Sequence, residues 1–286
     1  MTIHESRRLL IEKITPIYDS NEASSIADLV IEHITGLDRK SRIGVGNDSL
    51  SASQLDQLQK AIARLIKQEP VQYILHESWF CGLKFYVDKN VLIPRPETEE
   101  LVEWIISNLK FPLRKLKILD IGSGSGCIPI TLKRKIRKAD IWSCDINEAA
   151  LLVARRNANT LGADVNFLLL DFLQTSERNG LPVFDIIVSN PPYIPEKDKM
   201  KMHSNVVDYE PHTALFVRDN DPLVFYKAIA TFGKTSLSPT GHIFLEIHED
   251  YSAAVQELFL SAGYLSVEIK KDMQGKDRMV KVGHHL

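Results

Sequence analysis

Apolar residues in the first seventy positions recur at helical spacing. Leu9, Leu10 and Ile14 form one set, and Ile26, Leu29, Val30 and Ile34 another. Ser51-Ala52-Ser53-Gln54 reads as a capping box opening a third helix, with Leu55, Leu58, Ile62, Leu65 and Ile66 as its buried face. Glu69-Pro70 should end that helix, because a proline pushes the residue before it out of the helical region. The pattern then changes. Leu83, Phe85 and Val87 alternate just after Gly82, which predicts a β-hairpin within a connector over residues 71–95. From Glu97 a helix is expected, with Leu101, Val102, Ile105 and Leu109 on one face. Short apolar runs at 116–119, 141–144, 165–170 and 184–189 then alternate with helical stretches. Such alternation argues for βα units around a mostly parallel sheet. A helix over about 223–235 and a strand over 242–247 continue the series. Two last strands, 264–270 and 278–282, are close enough in sequence to pair antiparallel at an edge. The expected organisation is an all-helical domain 1–70, a hairpin connector 71–95 and an α/β domain 96–286.

The chemistry gathers where strands end. Phe184-Asp185-Ile186-Ile187-Val188-Ser189 reads as a buried strand, and Asn190-Pro191-Pro192-Tyr193 follows it directly. In open α/β sheets, ligands bind at the carboxyl ends of strands. Two consecutive prolines cannot continue a ladder, so the chain must turn out sharply, and Pro191 holds Asn190 extended. The corner presents an amide side chain, the Pro191 carbonyl and an aromatic ring. A planar –NH2 group can donate one hydrogen bond to the Asn190 side-chain oxygen and another to the Pro191 carbonyl, with Tyr193 stacked on it. A plain Pro-Pro turn is the bland alternative.

A second motif stands at an earlier strand end. Asp120-Ile121-Gly122-Ser123-Gly124-Ser125-Gly126 has the pattern D-x-G-x-G-x-G at a strand-to-helix turn. Its glycines let backbone approach a ligand closely. The spacing is not G-x-G-x-x-G, and the leading acid suits a cationic ligand better than a pyrophosphate. The next strand ends in Asp145, whose carboxylate can bind both hydroxyls of a ribose. The one after ends in Asp171-Phe172, an acid and a ring able to flank an adenine. A single acid at a strand end is usually only a helix cap, but here these features follow one another at βα spacing.

Composition narrows the picture modestly. The chain has 286 residues, 44% hydrophobic and 25% charged, with a formal net charge of −2. That charge gives no global attraction for nucleic acid. Three widely spaced cysteines, Cys81, Cys127 and Cys144, suit buried thiols in a reducing compartment better than a disulfide framework or a zinc site. No metal site is expected. The absence of a long apolar run predicts neither a signal peptide nor a membrane span, which leaves the cytoplasm as the expected location. The basic run 133–138 sits at a helix carboxyl end, where the dipole and solvation explain it; docking of an RNA-bound partner is the sharper alternative. His203 and His212 are expected near the pocket mouth without a catalytic role, and His284-His285 are expected to be disordered.

The glycine loop, strand-end acid and Asn-Pro-Pro-Tyr corner together resemble class I S-adenosyl-L-methionine-dependent methyltransferases, which are Rossmann-like with an antiparallel edge hairpin. More narrowly, the chain resembles the HemK/PrmC-type glutamine N5-methyltransferases of peptide chain release factors. The supporting segments are Pro70 to Ile74, Phe80 to Phe85, Val91-Leu92-Ile93-Pro94-Arg95-Pro96-Glu97-Thr98-Glu99, Asp120 to Ile128, Ser189 to Pro195, Glu210 to Leu215, Leu245-Glu246-Ile247 and Asp277-Arg278. The Ile-Pro-Arg-Pro-Glu-Thr-Glu stretch discriminates best, since nucleic-acid methyltransferases sharing Asn-Pro-Pro-Tyr lack it. The resemblance implies that S-adenosyl-L-methionine is held by Asp120, Gly122, Ser123, Gly124, Ser125, Gly126, Asp145, Asp171, Phe172 and Asn190. It implies catalysis by Asn190, Pro191 and Tyr193, with Pro192, Arg95 and Glu97 helping to bind a release factor's Gly-Gly-Gln glutamine. The helical domain would recognise that substrate, and the chain would act as a monomer. The sequence departs from the family at His76 and His248, where glycine is usual, at Val217-Arg218, near which Gly-Gly is usual, and at Asp221-Pro222-Leu223, where Asp-Gly-Leu is usual. From residues alone the acceptor is only a planar amino group. Adenine N6, cytosine N4 and guanine N2 therefore stay open, as does a catalytically silent binding module.

Overall fold

The computed structural model describes residues 1–109 and 115–284. The chain forms two compact units, Met1–Glu77 with His203–Tyr209, and Ser78–Met202 with Glu210–Leu286. This division runs seven residues past the expected boundary at 70 and assigns the hairpin to the second unit. It also gives the first unit a short returning segment that periodicity does not signal. Within that unit Tyr209 donates to the Lys67 carbonyl at 2.6 Å and Ser204 to Gln68 at 2.8 Å.

The first unit is helical throughout: Ile3–Ile14, Ser20–Thr35, Arg42–Val45, Ala52–Leu65 and Val71–Leu75. The capping box at Ser51 forms, with Gln54 N donating to Ser51 Oγ at 3.2 Å and Ser51 N to Gln54 Oε1 at 2.9 Å. A second one joins Thr2 and Glu5. Two residues expected inside are exposed. Leu29 lies off the stripe made by Ala23, Ile26, Ala27, Val30, Ile31 and Ile34, and Ile66 caps its helix at the surface. The short helix Val71–Leu75 occupies the start of the expected connector. It ends at His76 in the left-handed conformation, φ 57°. That backbone state costs glycine nothing sterically, which accounts for the glycine usual at this position.

In the second unit β1 (Ser78–Phe80) and β2 (Leu83–Phe85) form the expected hairpin, and the helix Pro96–Ser107 follows; Leu109 lies beyond its end. Then come β3 (Lys117–Ile121), β4 (Asp140–Asp145), β5 (Asn166–Leu169) and β6 (Phe184–Ser189). After them come a two-residue parallel pair, β7 (Ile194–Pro195) with β8 (Phe216–Val217), and finally β9 (Leu237–Glu246), β10 (Ser266–Lys271) and β11 (Asp277–Gly283). The seven-stranded sheet runs β10-β11-β9-β6-β3-β4-β5. Its strands β9, β6, β3, β4 and β5 are parallel, and β11 is antiparallel to both β9 and β10. The edge hairpin is therefore present. His284 stacks on Tyr264 with ring centroids 4.9 Å apart, contrary to expected disorder, whereas His285 lies outside the described residues.

Alternation along each strand sorts side chains to two faces, as a pleat requires. Ile118, Ile186, Val188 and Phe244 pack with the helices Pro96–Ser107, Cys127–Lys135 and Glu148–Leu161. Leu119, Ile187, Ile243 and Leu245 pack with Val224–Ser236 and Ser252–Ser261. Both faces are covered, so the strands are apolar runs. No helix among the described residues is long and apolar enough to cross a membrane.

One buried amide ties the chain after the hairpin to the glycine loop. Asn157 Oδ1 accepts from Tyr86 N at 2.7 Å, while its Nδ2 donates to the Tyr86 and Ser125 carbonyls, both at 2.9 Å. Asn157→Ala removes these three hydrogen bonds, one of them to the buried Ser125 carbonyl, which should lower stability by about 1–3 kcal/mol. Denaturant unfolding would check this, and an unchanged midpoint would count against it.

Candidate active site

The strand order reverses at β3, which sends its successors β4 and β5 to one side and has β6 on the other. This is the switch point at which open sheets bind ligands. The register sets Ile121 opposite Ser189, and Ser189 Oγ donates to the Ile121 carbonyl at 2.6 Å. The chains leaving both strands therefore start side by side. A side chain at Gly122 would point toward the Asn190 carbonyl, at 3.9 Å.

The loop after β3 is built on positive φ at Gly122 (87°), Gly124 (50°) and Gly126 (81°), a conformation that glycine alone adopts freely. Gly122 N and Ser123 N donate to the Cys144 carbonyl at 2.8 and 3.0 Å, and Gly124 N donates to Asp145 Oδ2 at 2.9 Å. Gly126 serves helix packing: a Cβ there would meet Ile130 Cδ1 at 2.8 Å and Ala154 Cβ at 3.2 Å. Asp145 Oδ1 accepts from Asn147 N at 2.9 Å, and burial raises its carboxyl above the ordinary range. Asp171 caps its own turn through Leu173 N, 2.9 Å. Phe172 is buried, edge-on to Phe232 at 5.3 Å and beneath the Arg178 guanidinium.

Around the Asn-Pro-Pro corner lies a hydrogen-bond chain. Asn190 Nδ2 donates to Thr98 Oγ1 at 3.0 Å, Thr98 Oγ1 donates to Glu246 Oε2 at 2.7 Å, and Tyr193 OH donates to Glu246 Oε1 at 3.0 Å. Glu246 and Thr98 are buried. Burial raises the Glu246 carboxyl; the Thr98 and Tyr193 hydroxyls and the nearby Arg278 charge oppose that rise. Burial, with Glu246 close by, likewise raises the Tyr193 phenol. Arg95 reaches the buried Glu210 carboxylate at 2.5 Å, and the Ile93 amide donates to the same carboxylate at 3.2 Å. These bonds order the Ile-Pro-Arg-Pro segment.

A cavity of about 700 Å³ opens over the strand ends. Its wall includes Gly122, Ser123, Gly124, Ser125, Asp145, Asp171, Phe172, Asn190, Pro191, Pro192 and Arg95, together with Thr98, Cys127 and Cys144. Of the residues expected there, Asp120, Gly126, Glu97 and Tyr193 are not in the wall. Asp120 lies fully buried behind the loop, where Ser143 Oγ donates to its Oδ2 at 2.6 Å and Ser123 Oγ stands 2.5 Å from Ser143 Oγ. Tyr193 donates to Glu246 and packs edge-on against His248, 6.0 Å between rings. Glu97 lies in the first turn of the helix Pro96–Ser107. In the sequence Thr98, Glu246 and Glu210 stand out only as parts of family segments. An acid closing the apolar run Ile243-Phe244-Leu245 was the available signal for Glu246.

Comparison with known proteins agrees with this geometry. A profile described as "Methyltransferase small domain" matches residues 98–210, and one described as "PrmC N-terminal domain" matches residues 16–75. A release factor glutamine methyltransferase of Flavobacterium psychrophilum is 42% identical, covering 99% of both chains. The chain belongs to the release factor glutamine methyltransferase family. Another member, from Bacteroides thetaiotaomicron, is 41% identical over 94% of this chain and 95% of its own. At the level of fold alone, a methyltransferase from Pyrococcus furiosus superposes with TM-score 0.51 at 18% identity, covering 82% of this chain and 100% of that one.

The buried acid behind the loop has a consequence for pH. Burial, with the Asp145 charge adding to it, pushes the Asp120 carboxyl up to about 8. Unfolded, it titrates near 3.9. Between these values the unfolded chain has already lost the proton and the folded chain keeps it, so Asp120 costs stability progressively as pH rises. Asp120→Asn should therefore gain stability relative to the parent between pH 5 and pH 8. Denaturant midpoints at the two pH values check this; a constant difference would contradict it.

Proposed function

We propose that this chain transfers a methyl group from S-adenosyl-L-methionine to the side-chain amide nitrogen (N5) of the Gly-Gly-Gln glutamine in peptide chain release factors. One observation carries the reading: the glycine loop and the Asn-Pro-Pro corner share one cavity in a chain 42% identical to a release factor glutamine methyltransferase over 99% of its length. The cavity suits the donor. Gly122 and Gly124 carry no side chain where the loop lines the cavity, and a Cβ at Gly124 would meet nothing within 4 Å. In this reading Asp145 takes the ribose hydroxyls, and Asp171 and Phe172 flank the adenine. When bound, S-adenosyl-L-methionine supplies an electrophilic methyl carbon, whose bond to sulfur breaks as its bond to nitrogen forms.

The protein's task is to present the nitrogen. A carboxamide nitrogen is a poor nucleophile because its lone pair is delocalised into the carbonyl. Asn190 Oδ1 and the Pro191 carbonyl accept hydrogen bonds from its two N–H groups, which fixes its orientation and favours positive charge developing on it. Holding reactants in line supplies up to roughly 7–11 kcal/mol in favourable cases. After transfer the nitrogen is acidic and releases a proton. Arg95, anchored by Glu210, is assigned to the substrate side of the cavity. The partner is a protein, consistent with a net charge of −2, and we take the chain to act as a monomer in the cytoplasm.

Intact-mass analysis of unmodified release factor, incubated with the chain and S-adenosyl-L-methionine, tests the proposal. A gain of one methyl, absent when the Gly-Gly-Gln glutamine is alanine, is expected. No gain on either protein would shift the acceptor to a nucleobase. Asn190→Ala should abolish transfer while leaving cofactor affinity within a few fold. Asp145→Ala should weaken cofactor binding at least tenfold by calorimetry, the loss of about 1.4 kcal/mol or more.

A further inference from the structure

A side-chain amide offers two edges that differ chemically. One carries an acceptor oxygen, the other a donor –NH2. The proposed function requires Asn190 to present the oxygen. Rotation of the amide by half a turn would instead present –NH2, which attracts a carbonyl or carboxylate and repels the amino group to be methylated. Something must therefore set which edge faces the cavity.

We infer that Thr98 and Glu246 are the positioning residues that set it, and so make the site select an amide nitrogen over a carboxylate; this rests on the function proposed above. Glu246 lies inside the protein and its carboxylate accepts from two hydroxyls, Thr98 at 2.7 Å and Tyr193 at 3.0 Å, with the Arg278 charge close by. A threonine hydroxyl has a single proton. Thr98 gives its proton to Glu246, so toward Asn190 it can only accept. The Asn190 atom 3.0 Å away is therefore the nitrogen. Among the described residues nothing donates to Asn190 Oδ1, and Asn190 lines the cavity. The oxygen edge is left for the incoming amide.

Each link is supplied by a different part of the chain. Thr98 sits in the first helical turn of Pro96–Ser107, Glu246 ends β9, and Asn190 follows β6. β9 and β6 are paired in register, Ser189 opposite Leu245. The helix lies on the sheet face that Phe244 also faces, and Trp104 packs edge-on to that ring at 5.5 Å. Thr98 and Glu246 are thus held by regular structure, and Asn190 is the first residue after a strand.

The experiment compares full-length Thr98→Val, which keeps the shape and loses the hydroxyl, with Thr98→Ser, which keeps the hydroxyl. The readouts are kcat on release factor, cofactor affinity by calorimetry, and inhibition by a release factor whose Gly-Gly-Gln glutamine is replaced by glutamate. Thr98→Val should lower kcat on the order of 100-fold, as expected for a misplaced reacting group. Cofactor affinity should stay within about threefold, and the glutamate-bearing release factor should become a better inhibitor relative to the glutamine form by at least about tenfold. Thr98→Ser should restore both kcat and that preference. Glu246→Met removes the acceptor that claims the hydroxyl proton and should shift the preference in the same direction; it carries the test if Thr98→Val fails to fold. Wild-type kcat and unchanged preference in Thr98→Val or Glu246→Met would overturn the inference, as would Thr98→Ser losing as much as Thr98→Val. A wild-type chain that leaves release factor unmethylated would instead overturn the function proposed above.

Discussion

The parallel pairing of β3 with β6 is the constraint on which the site depends. Ile121 stands opposite Ser189, and the Ser189 hydroxyl bonds across to the Ile121 carbonyl. One residue later, each chain leaves the sheet, one as the glycine loop and the other as the Asn-Pro-Pro corner. A slip of one residue would turn every side chain of β6 to the opposite face. It would also separate the loop assigned to the donor from the corner assigned to the acceptor. Burial on both faces forbids that slip, because Val188 and Ile187 are each fully enclosed by a different core. The precision of the site is thus set by the packing of the sheet.

Much of this was legible in the sequence because it depends on local rules. The apolar run ending at Ser189 has the same bounds as β6. The glycines of the 122–126 loop all adopt positive φ. Asp145 ends β4 and reaches the cavity, as its position at the end of an apolar run suggested. What escaped the sequence were partners brought together by long-range packing. Thr98, Glu246 and Asn190 come from three separate segments, and no spacing rule connects them. No spacing rule signals that the Tyr193 hydroxyl bonds a buried carboxylate, Glu246. Asp120 was read as facing a cationic ligand and instead lies beneath the loop, bonded to Ser143. The periodicity of the amino-terminal helices predicted their existence, yet it could not say that Leu29 faces outward while Ala27 and Ile31 face in.

Buried polar groups are placed unevenly in this chain. Away from the site the two cores are mainly aliphatic and aromatic, with isolated buried polar groups such as Thr131 and Ser236. Under the site lie Asp120, Ser143, Ser123, Thr98, Glu246 and Asn157, all buried and each making a side-chain hydrogen bond, while Asp120 Oδ1 has no partner. Such groups stabilise less than apolar residues of the same volume, but each accepts only specific partners in specific directions. They limit the loop and the corner to one arrangement, at a cost that the surrounding aliphatic packing offsets.

The two thiols in the cavity wall bear on a different hazard. Cys127 and Cys144 are unpaired and sit where a reactive methyl donor would be held. Burial pushes the Cys127 thiol up to about 12 and raises Cys144 as well. A raised thiol pKa lowers the share of thiolate, the form that attacks electrophiles. The same desolvation that lines the cavity therefore disfavours attack by these thiols on a donor held beside them.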